Sequence, residues 1–229
     1  MATHRGILTE TFAPLLAIPG LRHTFVCRQS GLNAALTTDR EAALSALRPV
    51  HSRACRELGF RWQAVATAEQ VHGDRLSVVV PDRAGRAPSQ APGADGLICR
   101  SAGILLGIYV ADCAAVSLVD PRTRSVGLLH SGKRGSELGI VGKAVTRMAD
   151  YCATNPSDLI VHLSPCIRPP LYETDLPTLI RDAALDAGVL PCHYHDCGVS
   201  TGEHLERYYS YRMEKGATGR MLALLGWQE

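Results

Sequence analysis

Residues 104–130 read ILLGIYVADCAAVSLVDPRTRSVGLLH, and the clearest structural signal of the chain lies here. The stretch contains three apolar runs of strand length, at residues 104–110, 116–119 and 125–130. The segment Asp120-Pro121-Arg122-Thr123 follows the second run and is a typical turn sequence. We therefore expect three consecutive strands, with a tight turn before the last of them.

Outside this stretch, helical and strand patterns alternate. Helices are expected at residues 40–58, 140–152 and 177–187, and strands at 63–68, 76–80 and 158–163. A Pro- and Gly-rich segment at 81–93 predicts a surface loop, whereas 203–227 shows no clear periodicity. This alternation predicts an α+β fold, a layered α/β sandwich with mixed β-sheets, and residues 1–229 are expected to form a single domain.

The composition excludes several classes of protein. The 229 residues carry 24 Lys and Arg against 22 Asp and Glu, a formal net charge of +2, which does not favour nucleic acid as a partner. The longest apolar run, residues 103–111, is too short to span a membrane. Eight scattered cysteines without a secretory signal pattern are typical of free thiols, so we expect a cytoplasmic protein.

Three residues are placed where side chains can meet at the edge of a sheet. His72 lies in a bend between two predicted strands, Cys113 follows the run at 104–110, and His130 ends the run at 125–130. Two imidazoles and one thiolate suit zinc and leave a fourth position open, as in catalytic zinc sites. The alternative is that Cys113 is a buried small hydrophobic residue and that the histidines are core residues.

The segment after His130 is a candidate anion site. It reads Ser131-Gly132-Lys133-Arg134-Gly135-Ser136, and a predicted helix follows. Glycines permit close approach of a ligand, and Lys133 and Arg134 add positive charge. Phosphate or a carboxylate bound here would lie next to the candidate metal ligand. An ordinary solvated turn is the alternative.

Two further segments are rich in functional side chains. The segment Cys192-His193-Tyr194-His195-Asp196-Cys197 is a rival metal site if a strand places alternate residues on one face, although a polar loop is the favoured interpretation. The segments Tyr208-Tyr209-Ser210-Tyr211-Arg212 and Thr218-Gly219-Arg220 combine aromatic rings with arginines. Such residues can stack on a base and bind an oxyanion, or can form an amphipathic surface.

An ordered set of short motifs spans residue 60 to the end of the chain. The set comprises Gln70-Val71-His72-Gly73, Ala94-Asp95-Gly96-Leu97-Ile98, Ala111-Asp112-Cys113, Asp120-Pro121, His130-Ser131-Gly132-Lys133-Arg134-Gly135, Tyr172-Glu173, Ser210-Tyr211-Arg212 and Thr218-Gly219-Arg220. Together they resemble the YfiH-like family. This family was long labelled multicopper polyphenol oxidase or laccase. It was later described as purine nucleoside phosphorylase with adenosine deaminase activity, and as a peptidoglycan editing factor.

The resemblance implies a zinc-dependent enzyme that acts on purine nucleosides and phosphate. The family's zinc ligands fall on His72, Cys113 and His130 of this chain. Zinc lowers the pKa of water, which suits deamination of a purine. We take Cys113 and Asp112 as candidate catalytic residues. The candidate phosphate- and substrate-binding residues are Gly132, Lys133, Arg134, Tyr211 and Arg212.

The chain departs from the family pattern around the ligands. The family usually has Trp in place of Lys133, Thr in place of Val110, and Gly in place of Ser164 and Arg168. The three ligands themselves are present. The resemblance therefore supports metal binding more strongly than it supports any one substrate.

Three other activities fit the same residues. A copper oxidase is disfavoured because no methionine lies beside a ligand motif. A Cys113–His130 nucleophile pair hydrolysing an amide needs no metal and fits the peptidoglycan description. A nucleoside-binding protein without turnover is the non-enzymatic alternative.

Overall fold

Two mixed β-sheets of six strands each lie at the centre of the part of the chain that the computed structural model describes, residues 6–32 and 38–229. In chain order the strands are β1 (Thr9–Glu10), β2 (Leu21–Val26), β3 (Val65–Ala68), β4 (Leu76–Val78), β5 (Gln90–Ala91), β6 (Gly96–Cys99), β7 (Leu105–Val110), β8 (Ala114–Asp120), β9 (Ser125–Ser131), β10 (Ile160–Leu163), β11 (Tyr194–Asp196) and β12 (Met221–Trp227). The first sheet has the order β1-β2-β12-β7-β3-β5, and the second has the order β11-β10-β8-β9-β6-β4.

The described residues form five α-helices. They are α1 (Ala13–Leu16), α2 (Arg40–Glu57), α3 (Lys133–Glu137), α4 (Ile140–Cys152) and α5 (Leu176–Asp186). Buried side chains of α2 pack against the first sheet, and those of α4 and α5 pack against the second. A third set of apolar side chains, which includes Phe25, Leu106, Leu128 and Trp227, fills the space between the sheets. The layers confirm the predicted α/β sandwich with mixed sheets.

The strands predicted from residues 104–130 are β7, β8 and β9. Strands β8 and β9 pair antiparallel, with Asp120 opposite Ser125 at the turn. The Asp120 carboxylate accepts hydrogen bonds from the backbone N–H of Arg122 at 2.8 Å and of Thr123 at 3.2 Å. The Asp-Pro turn therefore closes this hairpin as the sequence predicts.

Helix α2 continues through Pro49, although Pro in a helix interior removes a hydrogen bond. The Asp39 side chain caps the helix start by accepting a hydrogen bond from the Glu41 N–H. Ala43, Leu47 and Ala54 are buried on the face toward the first sheet. Packing of this face outweighs the local cost of the proline.

Strand β12 is the main element that the sequence patterns do not predict. All seven of its residues are buried, and it lies between β2 and β7 in the first sheet. A short, continuous apolar run has no periodicity that separates a buried strand from a buried helix. Strand β2 was not predicted either, because its sequence LRHTFV mixes polar and apolar residues without regular alternation, although every residue except Arg22 is buried.

Two predicted loops contain regular structure. The segment 81–93 includes β5, which pairs parallel with β3. The predicted glycine-rich turn after His130 is wrong in detail, because β9 runs on to Ser131 and α3 begins at Lys133. The hydroxyls of Ser131 and Ser136 lie 2.8 Å apart and connect the end of β9 to the fourth residue of α3. Among the described residues, no helix has the length and apolarity that a membrane crossing requires.

Candidate active site

The three predicted metal ligands meet where the chain passes between the sheets. His72 lies between β3 of the first sheet and β4 of the second, and Cys113 lies between β7 of the first and β8 of the second. His130 is the penultimate residue of β9. One ligand atom from each residue lies within 4.8 Å of the other two. The structure therefore brings together the three residues that the sequence analysis singled out.

The backbone around His72 has an unusual conformation that a buried carboxylate stabilises. Both Gln70 and His72 have positive φ angles, 63° and 60°. The Asp95 side chain accepts hydrogen bonds from three successive N–H groups, those of Val71 at 3.1 Å, His72 at 2.9 Å and Gly73 at 2.7 Å. These bonds offset the strain of a left-handed conformation at non-glycine residues.

The same carboxylate orients His130. The Nδ1 atom of His130 lies 2.8 Å from Oδ1 of Asp95, and the His130 N–H donates to the Asp95 backbone carbonyl at 2.7 Å. This leaves Nε2 of His130 for a ligand, the arrangement in which a carboxylate orients a metal-binding imidazole. Asp95 is fully buried, and sequence reasoning assigned it no role. The only sequence signal for Asp95 was its position as the one acidic residue in the otherwise apolar motif at 94–98.

Cys113 and His130 form a charged pair in the metal-free site. Burial works to raise the pKa of the Cys113 thiol, but the charge of His130 and hydrogen bonds from His130 and His72 outweigh it and lower the pKa to about 6. Burial works in the opposite sense on His130, and Cys113 and Asp95 together raise its pKa to about 9. Both shifts favour the form of the pair in which Cys113 is a thiolate and His130 an imidazolium.

Alkylation of the metal-free protein should report this lowered thiol pKa. Because the thiolate is the nucleophile, the rate at Cys113 should be near its maximum at pH 7 and fall through a midpoint at about pH 6. An unperturbed thiol, with a pKa of about 8.5, would still gain reactivity above pH 7. Mass spectrometry of the Cys113 peptide after timed iodoacetamide treatment measures the rate. A midpoint above pH 8 would contradict the ion pair.

Gly132 is required by the close packing of the ligands. A Cβ atom at this position would lie 2.7 Å from Sγ of Cys113 and 3.7 Å from Cδ2 of His72. The first distance is far below van der Waals contact, so a side chain here must displace the sulfur. The predicted site residue Gly132 thus contacts the ligand group itself.

We expect Gly132→Ala to weaken metal binding by at least about tenfold, because the methyl group displaces one of three ligands. Competition with a chromophoric chelator measures the affinity. Gly142→Ala is the matched control, because a Cβ there meets its nearest atom at an ordinary 3.5 Å, and it should bind metal as the unaltered protein does. Equal affinity of the two variants would show that the site tolerates the displacement.

The donor set fits a zinc-type ion. Two imidazoles and a thiol that ionises easily are typical zinc ligands, and three protein ligands leave a position for water or substrate. Within residues 6–32 and 38–229, this is the only group of three or more His, Cys, Asp or Glu side chains arranged to hold a metal. The rival cluster at 192–197 is not assembled. There β11 forms an edge strand of the second sheet, where a polar loop had been favoured.

The ligands lie in the wall of a large cavity of about 930 Å³. Its basic lining residues are Arg40, Lys133, Arg134, Arg212, Lys215 and Arg220, and its acidic lining residues are Asp112 and Glu137. Aromatic side chains of Tyr109, Tyr172 and Tyr211 complete the wall. The volume is in the range of small-molecule sites, and the excess of cations favours an anionic ligand.

Four of the five predicted phosphate- and substrate-binding residues line this cavity, and the fifth, Gly132, lies beside Cys113. Glu173 lies between two of them, with carboxylate oxygens 3.5 Å from Nζ of Lys133 and 3.3 Å from Nη2 of Arg212. The Arg212 guanidinium lies 5.5 Å from the centre of the Tyr172 ring. Tyr211 and Arg134 also line the cavity. These contacts connect α3 with the segments around 172 and 212.

Asp112 has both carboxylate oxygens engaged. Oδ1 accepts a hydrogen bond from the Thr201 hydroxyl at 2.8 Å, and Oδ2 accepts one from the Arg212 N–H at 2.7 Å. Its φ angle is 79°, in the left-handed region. The side chain thus attaches the C-terminal segment that carries Tyr211 and Arg212 to the turn that carries Cys113.

The departures from the family pattern have local partners. The hydroxyl of Ser164 accepts a hydrogen bond from the Ala115 N–H at 3.0 Å, and Arg168 forms an ion pair with Asp196. Val110 is buried in the core between the sheets. Lys133 lies close to Glu173, so each departure has a local contact within this fold.

Fold and site together define a layered α+β protein with a His₂Cys centre, and sequence comparison gives its family. Residues 23–175 and 172–228 match the family described as multi-copper polyphenol oxidoreductase laccase. The chain belongs to this family. The expected YfiH-like relationship is thereby confirmed.

Relatives within the family carry a more specific name. The chain is 34% identical over 206 residues to purine nucleoside phosphorylase YlmD of Geobacillus stearothermophilus, covering 75% of each protein. It is 29% identical over 246 residues to a purine nucleoside phosphorylase of Deinococcus radiodurans, covering 93% of this chain and 91% of that one. The crystal structure of the Geobacillus YlmD superposes with a TM-score of 0.83 and 27% identity, covering 100% and 98% of the two chains.

Proposed function

We propose that this protein is a zinc-dependent purine nucleoside phosphorylase that also deaminates adenosine. One observation carries the proposal: His72, Cys113 and His130 place their ligand atoms within 4.8 Å of one another in the wall of a basic cavity of about 930 Å³. The names of the relatives support the phosphorylase activity. The excess of cations in the cavity suits phosphate, and its tyrosines suit a purine ring.

Zinc is favoured over copper by the composition of the site. A blue-copper centre adds a weak axial ligand to His₂Cys, and a multicopper oxidase needs further histidine clusters. The part of the chain that the structure describes holds one candidate metal group, and no methionine lines the cavity. We therefore assign copper a minor role as an alternative occupant.

Each reaction assigns a task to residues of this chain. Bound zinc supplies a Lewis acid that polarises an oxygen atom and lowers the pKa of water. His72, Cys113 and His130 would hold it, and Asp95 orients His130. In deamination, water replaces the amino group of adenosine and ammonia leaves. Lys133, Arg134, Tyr211 and Arg212 bind the substrate, Gly132 leaves room for the Cys113 sulfur, and Asp112 acts as a positioning residue for Cys113 and Arg212.

The test is metal analysis of purified protein followed by product analysis. We expect about one zinc per chain. Adenosine without phosphate should give inosine and ammonia, and inosine with phosphate should give hypoxanthine and ribose 1-phosphate. Copper-loaded protein should show no phenol turnover. Zinc-loaded protein that leaves both nucleosides unchanged would refute the proposal, and nucleoside binding without product would identify a non-catalytic binding protein.

A second candidate activity rests on the contact between Cys113 and His130. A thiolate paired with an imidazolium is the arrangement of cysteine hydrolases, and the peptidoglycan description of the family fits an amidase. If this activity dominates, protein stripped of zinc should hydrolyse the amide substrate and iodoacetamide should abolish that hydrolysis. The eight free thiols support the proposal that either reaction takes place in the cytoplasm.

A further inference from the structure

Several basic side chains of the cavity have no acidic partner among the described residues. Lys133 and Arg212 both lie close to Glu173, which offsets their charge. The cavity is also lined by Arg40, Arg134, Lys215 and Arg220, and none of these forms an ion pair with a carboxylate within residues 6–32 and 38–229. Of these four, Arg40 and Arg220 are the ones whose side chains hydrogen bonds hold in place. A charged side chain in a cavity is normally compensated by an opposite charge. Guanidiniums without a carboxylate partner therefore indicate a site for an anion.

Neutral oxygens hold both guanidiniums in place. Nη1 of Arg40 donates to the Glu69 carbonyl at 3.1 Å, and its Nη2 lies 3.4 Å from Oε1 of Gln70. Nη1 of Arg220 donates to the carbonyls of Thr218 at 2.9 Å and Gly219 at 2.8 Å. Such bonds fix each side chain without neutralising it. The remaining N–H groups stay available for a ligand.

The first sheet places both arginines beside the metal ligands. Gln70 follows β3, and its side chain pairs with the backbone N–H and carbonyl of Tyr109 in β7, at 3.0 and 2.5 Å. Arg220 directly precedes β12, in which Met221 lies opposite Val110, three residues before Cys113. The ends of β3 and β7 and the beginning of β12 therefore meet at this edge of the sheet.

Both guanidiniums line the same cavity, and the charge of one acts on the other. Burial lowers the pKa of Arg220, and the charge of Arg40 lowers it further, whereas Cys113 acts in the opposite sense. Two like charges held together by the fold repel each other until an anion binds between them. A divalent anion relieves this repulsion better than a neutral ligand does.

We infer that Arg40 and Arg220 form the phosphate subsite of the cavity, and that the nucleoside occupies the part lined by Lys133, Arg212 and the tyrosines. This inference rests on the proposed phosphorylase function and revises the expectation that the segment after His130 holds phosphate. In the reaction, an oxygen of hydrogen phosphate forms a bond to C1′ of the ribose as the bond from C1′ to the purine nitrogen breaks. The electron pair leaves with the base, which takes up the proton of the hydrogen phosphate.

The test compares phosphate-dependent and phosphate-independent turnover of the zinc-loaded protein. For Arg40→Gln and Arg220→Gln, we expect the KM for phosphate in inosine phosphorolysis to rise by about 10- to 100-fold, the effect of losing a charge-assisted hydrogen bond. Adenosine deamination without phosphate should fall far less, so that the ratio of the two activities drops at least about tenfold. A phosphate KM within about twofold of the unaltered enzyme in both variants would overturn the inference.

A control and a binding measurement separate this inference from the proposed function. Arg48→Gln removes an exposed arginine from the same helix, one that lies over the Trp62 ring outside the cavity, and should leave the phosphate KM unchanged. If the unaltered protein shows no phosphorolysis, titration with inorganic phosphate tests whether the subsite exists. If the unaltered protein binds phosphate and both Arg→Gln variants do not, the subsite is supported even though the reaction is not. If the unaltered protein does not bind phosphate, the inference is overturned.

Discussion

Cys113→Ala should yield a folded protein that contains no zinc and has lost turnover of both adenosine and inosine. Cys113 supplies the only thiolate of the ligand group, and its loss leaves two imidazoles. Because losing a residue that merely orients a ligand costs about 10- to 100-fold in metal affinity or activity, losing a ligand should cost at least about 100-fold. Metal analysis and product analysis on the same preparation measure the two effects.

Cys192→Ala is the matched control, because this thiol is exposed and lies outside the cavity. It should retain zinc and activity. Circular dichroism should show that both variants are folded. Full activity in metal-free Cys113→Ala protein would refute a metal-dependent mechanism and also the Cys–His hydrolase alternative.

Asp95→Asn should have the next largest effect, although Asp95 touches no substrate. Burial alone would raise the pKa of Asp95, but the hydrogen bonds from His130 and from the N–H groups of Gly73 and His72 lower it, so the carboxylate is ionised. An amide has only one acceptor oxygen, and its NH₂ group must face at least one donor. Each buried group left without a partner costs about 1–3 kcal/mol. We therefore expect lower stability and a zinc affinity reduced by about 10- to 100-fold.

The control for this variant is Asp82→Asn. The Asp82 carboxylate also accepts backbone hydrogen bonds, from Ala84 at 2.8 Å and Arg86 at 2.9 Å, but it lies in an exposed turn. Its substitution should change the free energy of unfolding by less than about 1 kcal/mol and should not affect zinc. Denaturant unfolding and chelator competition measure both quantities. If Asp95→Asn binds zinc as tightly as Asp82→Asn, the carboxylate does not orient the ligands.

Cys113 and His130 were predictable because each lies at or just after the end of an apolar run, whereas His72 was singled out from a bend between two predicted strands. The runs at 104–110 and 125–130 predict strands, and those strands place Cys113 and His130 at a sheet edge. The spacing of the three residues matches no short metal motif, so their convergence depended on the family resemblance. Their geometry follows from strand pairing between distant segments, which no local pattern encodes.

The supporting residues could not be predicted in the same way. Asp95 acts through three backbone N–H groups and one imidazole, and such contacts have no sequence signature. The role proposed for Arg40 depends on helix α2 lying beside the segment that follows β3. Arg220 belonged to a recognised motif, but its position depended on β12, which the sequence patterns left unassigned.

Two of the three ligands lie on the connections that carry the chain from one sheet to the other, and this has a mechanical consequence. An ion held by His72, Cys113 and His130 would link the layers at one edge, so its binding energy would also resist their separation. Chelation should then lower the melting temperature. Conversely, a core substitution far from the site that shifts one sheet relative to the other should weaken the affinity for the metal.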